Sequence, residues 1–217
     1  MTSRTSSSTI KRSWSAALVA ALLMSAAACS GGGTQPGASP TAESQSPSAA
    51  STPSATPTPA PSYKPADASG RAQNVPVPVL PEVAKSETKE GLEAFARYWF
   101  QLLSYGYETG DTTPLDAITT PGCELCLNVT QAISSNYESG KWLAGGRVET
   151  PSVSTSYAEQ PDGQYQVVVQ VQQAMISYIG PGGTEFRTPT PPSDTGNVMI
   201  AEFASGAWRL TGLHPIR

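Results

Sequence analysis

From Val83 to the end of the chain, apolar residues recur with a period that changes once. Between about Ser86 and Thr109 they fall three and four apart, at Leu92, Phe95, Trp99, Leu102, Leu103 and Gly106, with Glu90, Glu93, Arg97 and Gln101 between them. That spacing predicts a helix that buries one face. Ser86 or Thr88 can cap its start, and Gly110-Asp111 stops it. Pro114, following Asp111 to Thr113, opens a short second helix over Leu115 to Ile118, closed by Pro121-Gly122. A third helix is predicted from Cys123 to Ser139, with Cys126, Val129, Ile133 and Tyr137 as its apolar line and Gly140 at its end.

After Gly145-Gly146 the period drops to two. Four to six strands of antiparallel sheet are expected, broken at Pro161-Asp162-Gly163, Gly180-Pro181-Gly182-Gly183, Pro191-Pro192 and Ser205-Gly206. The longest runs from Gln164 to Tyr178. Its apolar residues hold odd positions from Tyr165 to Val171 and even positions at Ala174, Ile176 and Tyr178, so the phase flips at Gln172-Gln173. A β-bulge produces such a slip and bends the strand, which predicts a strongly curved sheet creased at those glutamines; a plain local irregularity is the competing reading.

Ahead of this region the pattern vanishes. No Leu, Ile, Val, Met, Phe or Trp occurs from Ser30 through Asn74, and 8 Pro and 8 Ser lie among the 37 residues from Ser30 to Ala66. Such a stretch cannot build a core and reads as a disordered, semi-extended tether, on the order of 35 Å long as a coil and 115 Å as polyproline. The first 28 residues carry Arg4, Lys11 and Arg12 and no acid, then an apolar run from Trp14 to Met24, then small residues. The run is too short to span a bilayer, and the three-part pattern is that of an export signal. The chain therefore divides into a signal peptide over 1–28, a tether over 29–82 and one folded domain over 83–217. A domain of that size can bury roughly two-thirds of its surface without metals or many disulfides. Removing the signal leaves 10 basic and 17 acidic residues, a net charge of −7. The basic residues of the folded region are scattered singly, which excludes nucleic acid as a partner.

Met24-Ser25-Ala26-Ala27-Ala28-Cys29, followed by Ser30 and three glycines, resembles the lipobox of bacterial lipoproteins, with Ala26 where Leu is usual. The resemblance implies that the signal is cut before Cys29, whose sulfur carries a diacylglyceryl group. Two acyl chains hold a protein stably where one holds it only marginally. The expected location is the extracytoplasmic face of the cell membrane, with the bilayer as a partner through Cys29 and an envelope protein or small ligand as a second one.

Within the domain the sharpest chemical feature is Cys123-Glu124-Leu125-Cys126. Three readings compete. An exported protein favours a disulfide, and residues three apart in a first helical turn stand about 5 Å apart, within its reach. A redox pair would use the helix amino end to lower a thiol pKa, but no βαβ unit surrounds it and Glu124 opposes a thiolate. A zinc site lacks ligands, since His214 is the single histidine. His214 lies four residues from the end and reads as a surface residue, while Asp111 and Asp116 sit where helix capping accounts for them. No catalytic residue, metal or cofactor is expected. Trp99, Trp142, Tyr178 and Phe186 could line a pocket, with plain core as the competing reading.

Three helices followed by a bent antiparallel sheet resemble the cone-shaped α+β fold of the nuclear-transport-factor-two and ketosteroid-isomerase superfamily. Two local patterns carry this: Phe95, Tyr98 and Trp99 followed by Tyr107-Glu108-Thr109-Gly110-Asp111, and the closing Ser205-Gly206-Ala207-Trp208-Arg209-Leu210. Lipobox, tether and this domain with its Cys-x-x-Cys together resemble an uncharacterised family of actinobacterial lipoproteins. The function expected is a lipid-anchored, non-enzymatic binding or accessory domain. A thiol-disulfide redox protein and a pocket enzyme of the isomerase or hydrolase type are the alternatives.

Overall fold

The computed structural model describes residues 61–216. The signal peptide over 1–28, the lipidation site at Cys29 and the tether as far as residue 60 lie outside the described residues.

The helices form where the three-and-four spacing places them. Helix α1 spans Lys89–Thr109, and of the two candidate caps it is Thr88 that serves, its Oγ1 accepting the Gly91 N–H at 3.0 Å. Gly110 ends it in the left-handed region, at φ 79°, with its N–H donating to the Gly106 carbonyl at 2.8 Å. Leu92, Phe95, Trp99, Leu102 and Leu103 are buried along one face. Helix α2 is the single turn Thr113–Asp116, two residues earlier than expected because Thr113 and Pro114 themselves form its first turn. It is tied to α1 through Trp99, whose Nε1 donates to Thr119 Oγ1 at 2.9 Å, and that hydroxyl donates in turn to the Leu115 carbonyl at 2.8 Å. Helix α3 spans Glu124–Ser135 and buries Cys126, Thr130 and Ile133. It stops short of Ser139 because Asn136 turns the chain, its side-chain amide donating back to the Ala132 carbonyl at 2.7 Å. Among the described residues no helix is long and apolar enough to cross a membrane.

Seven strands follow: β1 (Trp142–Gly145), β2 (Val148–Ser154), β3 (Gln164–Gln173), β4 (Ile176–Ile179), β5 (Glu185–Thr190), β6 (Ser193–Ala204) and β7 (Ala207–Pro215). They form two antiparallel sheets, in the orders β1-β4-β5 and β2-β3-β6-β7. The division runs along one line. The chain crosses it at Gly146-Arg147, at Ala174-Met175 and at Pro191-Pro192, so β1 and β2, β3 and β4, and β5 and β6 are each two halves of a path bent at the same level. Hydrogen bonds bridge the line, from Gly146 N–H to the Met175 carbonyl at 2.9 Å and from Ala174 N–H to the Arg147 carbonyl at 2.8 Å. Gly145 has φ 84°, and a Cβ there would stand 2.2 Å from the Met175 carbonyl oxygen, so a glycine is required where the paths turn.

This corrects the single long strand expected over 164–178. The phase flip is a passage from one sheet to the next rather than a bulge within a strand, because Ala174-Met175 leaves the ladder of β3 before Ile176 joins that of β1 and β5. The large core lies between α1 and the four-stranded sheet, where Tyr165, Val167, Val169 and Val171 of β3 meet Met199, Ala201, Trp208 and Leu210. A second, small cluster of Leu143, Ile176 and Tyr178 belongs to the three-stranded sheet, with Tyr107 and Tyr137 packed against it.

Residues 61–82, assigned to the tether on composition, run along the domain. Lys64 pairs with Gln73 and Asp67 with Gly70 in a small hairpin. Arg71 Nη2 donates to the carbonyls of Tyr137 and Lys141 at 3.0 and 2.7 Å, and Trp142 Nε1 donates to the Asp67 carbonyl at 2.9 Å. Tyr63 donates to Glu108 at 2.5 Å. As far as Arg71 this strap docks through main-chain carbonyls and single polar side chains, which leave no trace in hydrophobic patterning, and apolar packing on the core enters only near its end, at Leu80.

Candidate functional site

The four aromatic residues named as pocket lining separate. Trp99 is 0% exposed and belongs to the main core, edge-on to Phe100. Trp142 is buried with its indole N–H held by the strap. Phe186 is 43% exposed, with Lys141 Nζ 5.1 Å above its ring. Tyr178 alone lines a cavity.

That cavity, about 300 Å³, lies between α3, the end of α1 and the three-stranded sheet. Its apolar wall comes from Val129 and Ile133 on α3 and from Leu143 and Ile176 on the strands. Tyr107, Asn128, Asn136, Gln173, Arg187 and Thr190 add polar groups. The crease brings Gln173 in, and the three-and-four spacing of α3 puts Val129, Ala132, Ile133 and Asn136 on one side. The Tyr178 and Thr190 hydroxyls share a hydrogen bond at 2.8 Å across β4 and β5.

Tyr137 packs against the Leu143, Ile176 and Tyr178 cluster that backs the cavity. Its hydroxyl donates to the Tyr107 carbonyl at 2.8 Å, and the Arg71 guanidinium of the strap lies 5.3 Å from the centre of its ring. Burial, only partly offset by neighbouring groups, pushes the Tyr137 hydroxyl up to about 12. Burial likewise raises Tyr107, against a hydrogen bond from Gln173 that lowers it. Both phenols stay protonated at neutral pH and act as donors or acceptors, not bases.

Arg187 is the one charged residue in the lining, and it carries no ion pair: the salt bridges among the described residues are Lys85–Glu82 and Arg147–Glu149. Its guanidinium carbon sits 4.5 Å from the centre of the Tyr178 ring. No carboxylate, imidazole or thiol lines the cavity. A larger groove of about 500 Å³ follows the crease on Arg147, Glu149 and Asp194, but its charges are already partnered. Arg147 Nε pairs with Glu149 at 3.3 Å, and the Gln170 and Gln172 side chains donate to Asp194, holding its carboxyl below the usual range.

Cys123 and Cys126 stand at disulfide distance, with Cα atoms 5.3 Å apart, and are 2% and 1% exposed. Sulfurs that deep are closed to a protein substrate, which removes the support for thiol exchange. Among the described residues no three His, Cys, Asp or Glu side chains converge on a metal position. His214 is exposed on β7. Asp111 accepts the Thr113 N–H at 2.9 Å and Asp116 accepts the Thr112 hydroxyl at 2.8 Å, both local capping contacts.

Residues 61–214 match the family of unknown function DUF6318. The chain belongs to that family. The matched region begins where the docked strap begins, so the DUF6318 unit includes the strap. No curated protein matches the chain. Several solved structures resemble it at low identity, among them these three. The intermembrane space region of the chloroplast protein ARC6 is 10% identical, with 60% of this chain and 98% of that one covered and a TM-score of 0.43. Aln2 from a Streptomyces species is 11% identical, with 61% and 93% covered and a TM-score of 0.38. An uncharacterized protein with a cystatin-like fold from Caulobacter vibrioides is 13% identical, with 58% and 89% covered and a TM-score of 0.33.

Sequence reasoning missed Tyr107, Arg187, Asn128, Asn136 and Gln173 as a group. The one available signal was the flip at Gln172-Gln173, which marks the place where two sheets part and a cavity can open.

Proposed function

We propose that this DUF6318 protein is an envelope lipoprotein, anchored by diacylglyceryl at Cys29, whose domain binds a small ligand without transforming it. The lining of the 300 Å³ cavity carries this reading: it offers an apolar wall, neutral hydrogen-bonding groups and one arginine, and no group able to exchange a proton near neutral pH. The bend shared by three strand paths supports a cone of the nuclear-transport-factor-two-like kind, with the cavity at its mouth. The lipobox from Met24 to Cys29 and the Pro-rich stretch behind it support presentation on a stalk.

A thermal-shift screen of a small-molecule library against the full chain carrying Cys29→Ser tests the binding site. Ala132 lines the cavity from an exposed position, so Ala132→Trp fills it without emptying the core. A ligand at ten times its Kd adds about 1.4 kcal/mol, roughly 3–6 °C for a domain of this size. Stabilising compounds are expected to lose their effect on Ala132→Trp. A library with no stabilising member, or compounds that stabilise both proteins equally, would overturn the reading.

A further inference from the structure

We propose that the cavity between α3 and the three-stranded sheet takes a small organic anion, an apolar body bearing one carboxylate, with Arg187 as the charge partner. The inference rests on the binding reading above and names the ligand class.

Charge comes first. Arg187 is the single charged group in the lining and forms no salt bridge among the described residues. It is exposed, so it stands at the cavity's rim and its hydration is not lost in the free protein. The Tyr178 ring at 4.5 Å supports one face of the guanidinium and leaves the planar edge of N–H groups open. Tyr178 is itself fixed by burial and by the hydrogen bond to Thr190. A pre-positioned fork with unused donors matches a carboxylate, which it grips through two parallel hydrogen bonds.

The remainder of the lining agrees. No acidic side chain stands in the cavity to repel an anion, and Gln173, Asn128 and the Tyr107 hydroxyl offer neutral donors in the same lining. Val129, Ile133, Leu143 and Ile176 present an apolar wall suited to an alkyl or aryl body. The volume lies at the small end of the range for ligand sites, which fits a body of one ring or a short chain. A cationic ligand would meet Arg187 unopposed, and a strongly polar one would leave the apolar wall unused.

Matched pairs of probes separate the charge from the body: 3-phenylpropanoate with its primary amide, and octanoate with octanamide. Each is titrated by calorimetry and by amide and methyl NMR shifts into the full chain carrying Cys29→Ser, in detergent-free buffer. The acids are expected to bind at least about ten-fold tighter than their amides, the ratio one modest charge-assisted hydrogen bond supplies. Arg187→Gln is expected to erase that difference by weakening the acids far more than the amides, and Arg187→Lys to restore part of it. Amides that bind as well as the acids, or a preference that survives Arg187→Gln, would overturn the anion assignment and leave the cavity standing as a site. Probes that shift no signal from Tyr107, Leu143 or Tyr178 would overturn the binding reading together with it.

Discussion

Gly110→Ala tests how the end of α1 is locked to the wall of the cavity. Gly110 sits at φ 79°, and a Cβ built there stands 2.4 Å from Tyr137 Cγ and 2.6 and 2.8 Å from the two Cδ atoms. The left-handed backbone alone costs an alanine about 1–2 kcal/mol. The ring must also move, which gives up the hydrogen bond to the Tyr107 carbonyl and the stacking of Arg71, together about 1.5–2 kcal/mol. The single substitution is therefore expected to cost about 2.5–4 kcal/mol. In a Tyr137→Ala background the obstructing ring is gone, and Gly110→Ala should cost only the backbone share of about 1–2 kcal/mol. Urea unfolding of the four proteins, followed by far-ultraviolet circular dichroism and tryptophan fluorescence, yields the coupling, expected at about 2 kcal/mol. Additive costs within about 0.5 kcal/mol would refute the argument that Tyr137 packs against the cap.

Three further outcomes rest on the same reasoning. Tyr137 has a folded pKa raised to about 12 by burial, so its contribution is complete below its ordinary value of 10 and is lost as pH rises through 12. Tyr137→Phe should flatten the fall in urea stability between pH 10 and 12 by about 2 kcal/mol, and an unchanged slope would contradict the burial. Replacing both Cys123 and Cys126 by Ser removes a four-residue loop closure and should cost about 2 kcal/mol, read as a drop in melting temperature; insulin reduction should be absent from the parent and the variant alike. Cys29→Ser should move the protein from the detergent phase to the aqueous phase in a host that processes lipoproteins, and a parent that already partitions to water would rule out the anchor.

Much of the helical layer was legible because local chemistry decides it. Thr88, Gly110 and Pro114 cap, stop and start helices within a residue or two of where they were expected. The closing hairpin turns on Ser205 and Gly206, both at positive φ as a tight two-residue turn requires. Six strands follow Gly146, within the four to six expected, while β1 ahead of it was not foreseen; the crease cuts three paths in two, and alternation along one strand cannot say whether a flip is a bulge or a change of sheet. The aromatic residues illustrate the limit for the site. Trp99 and Tyr178 carry the same sequence signal, yet one faces the main core and the other a cavity, since only the partner elements decide which side is covered. The strap was invisible for another reason: Arg71 and Tyr63 act singly, through carbonyls and a carboxylate 45 or more positions away, and such contacts have no periodicity.

Direct observation of a bound probe bears hardest on the claim that this cavity is the binding site. Octanoate added to the full chain carrying Cys29→Ser, with methyl groups labelled, should show nuclear Overhauser contacts from its chain to the methyls of Val129, Ile133, Leu143 and Ile176. Contacts instead with Val75 or Val148, in the groove that Tyr63 lines between the strap and α1, would contradict it.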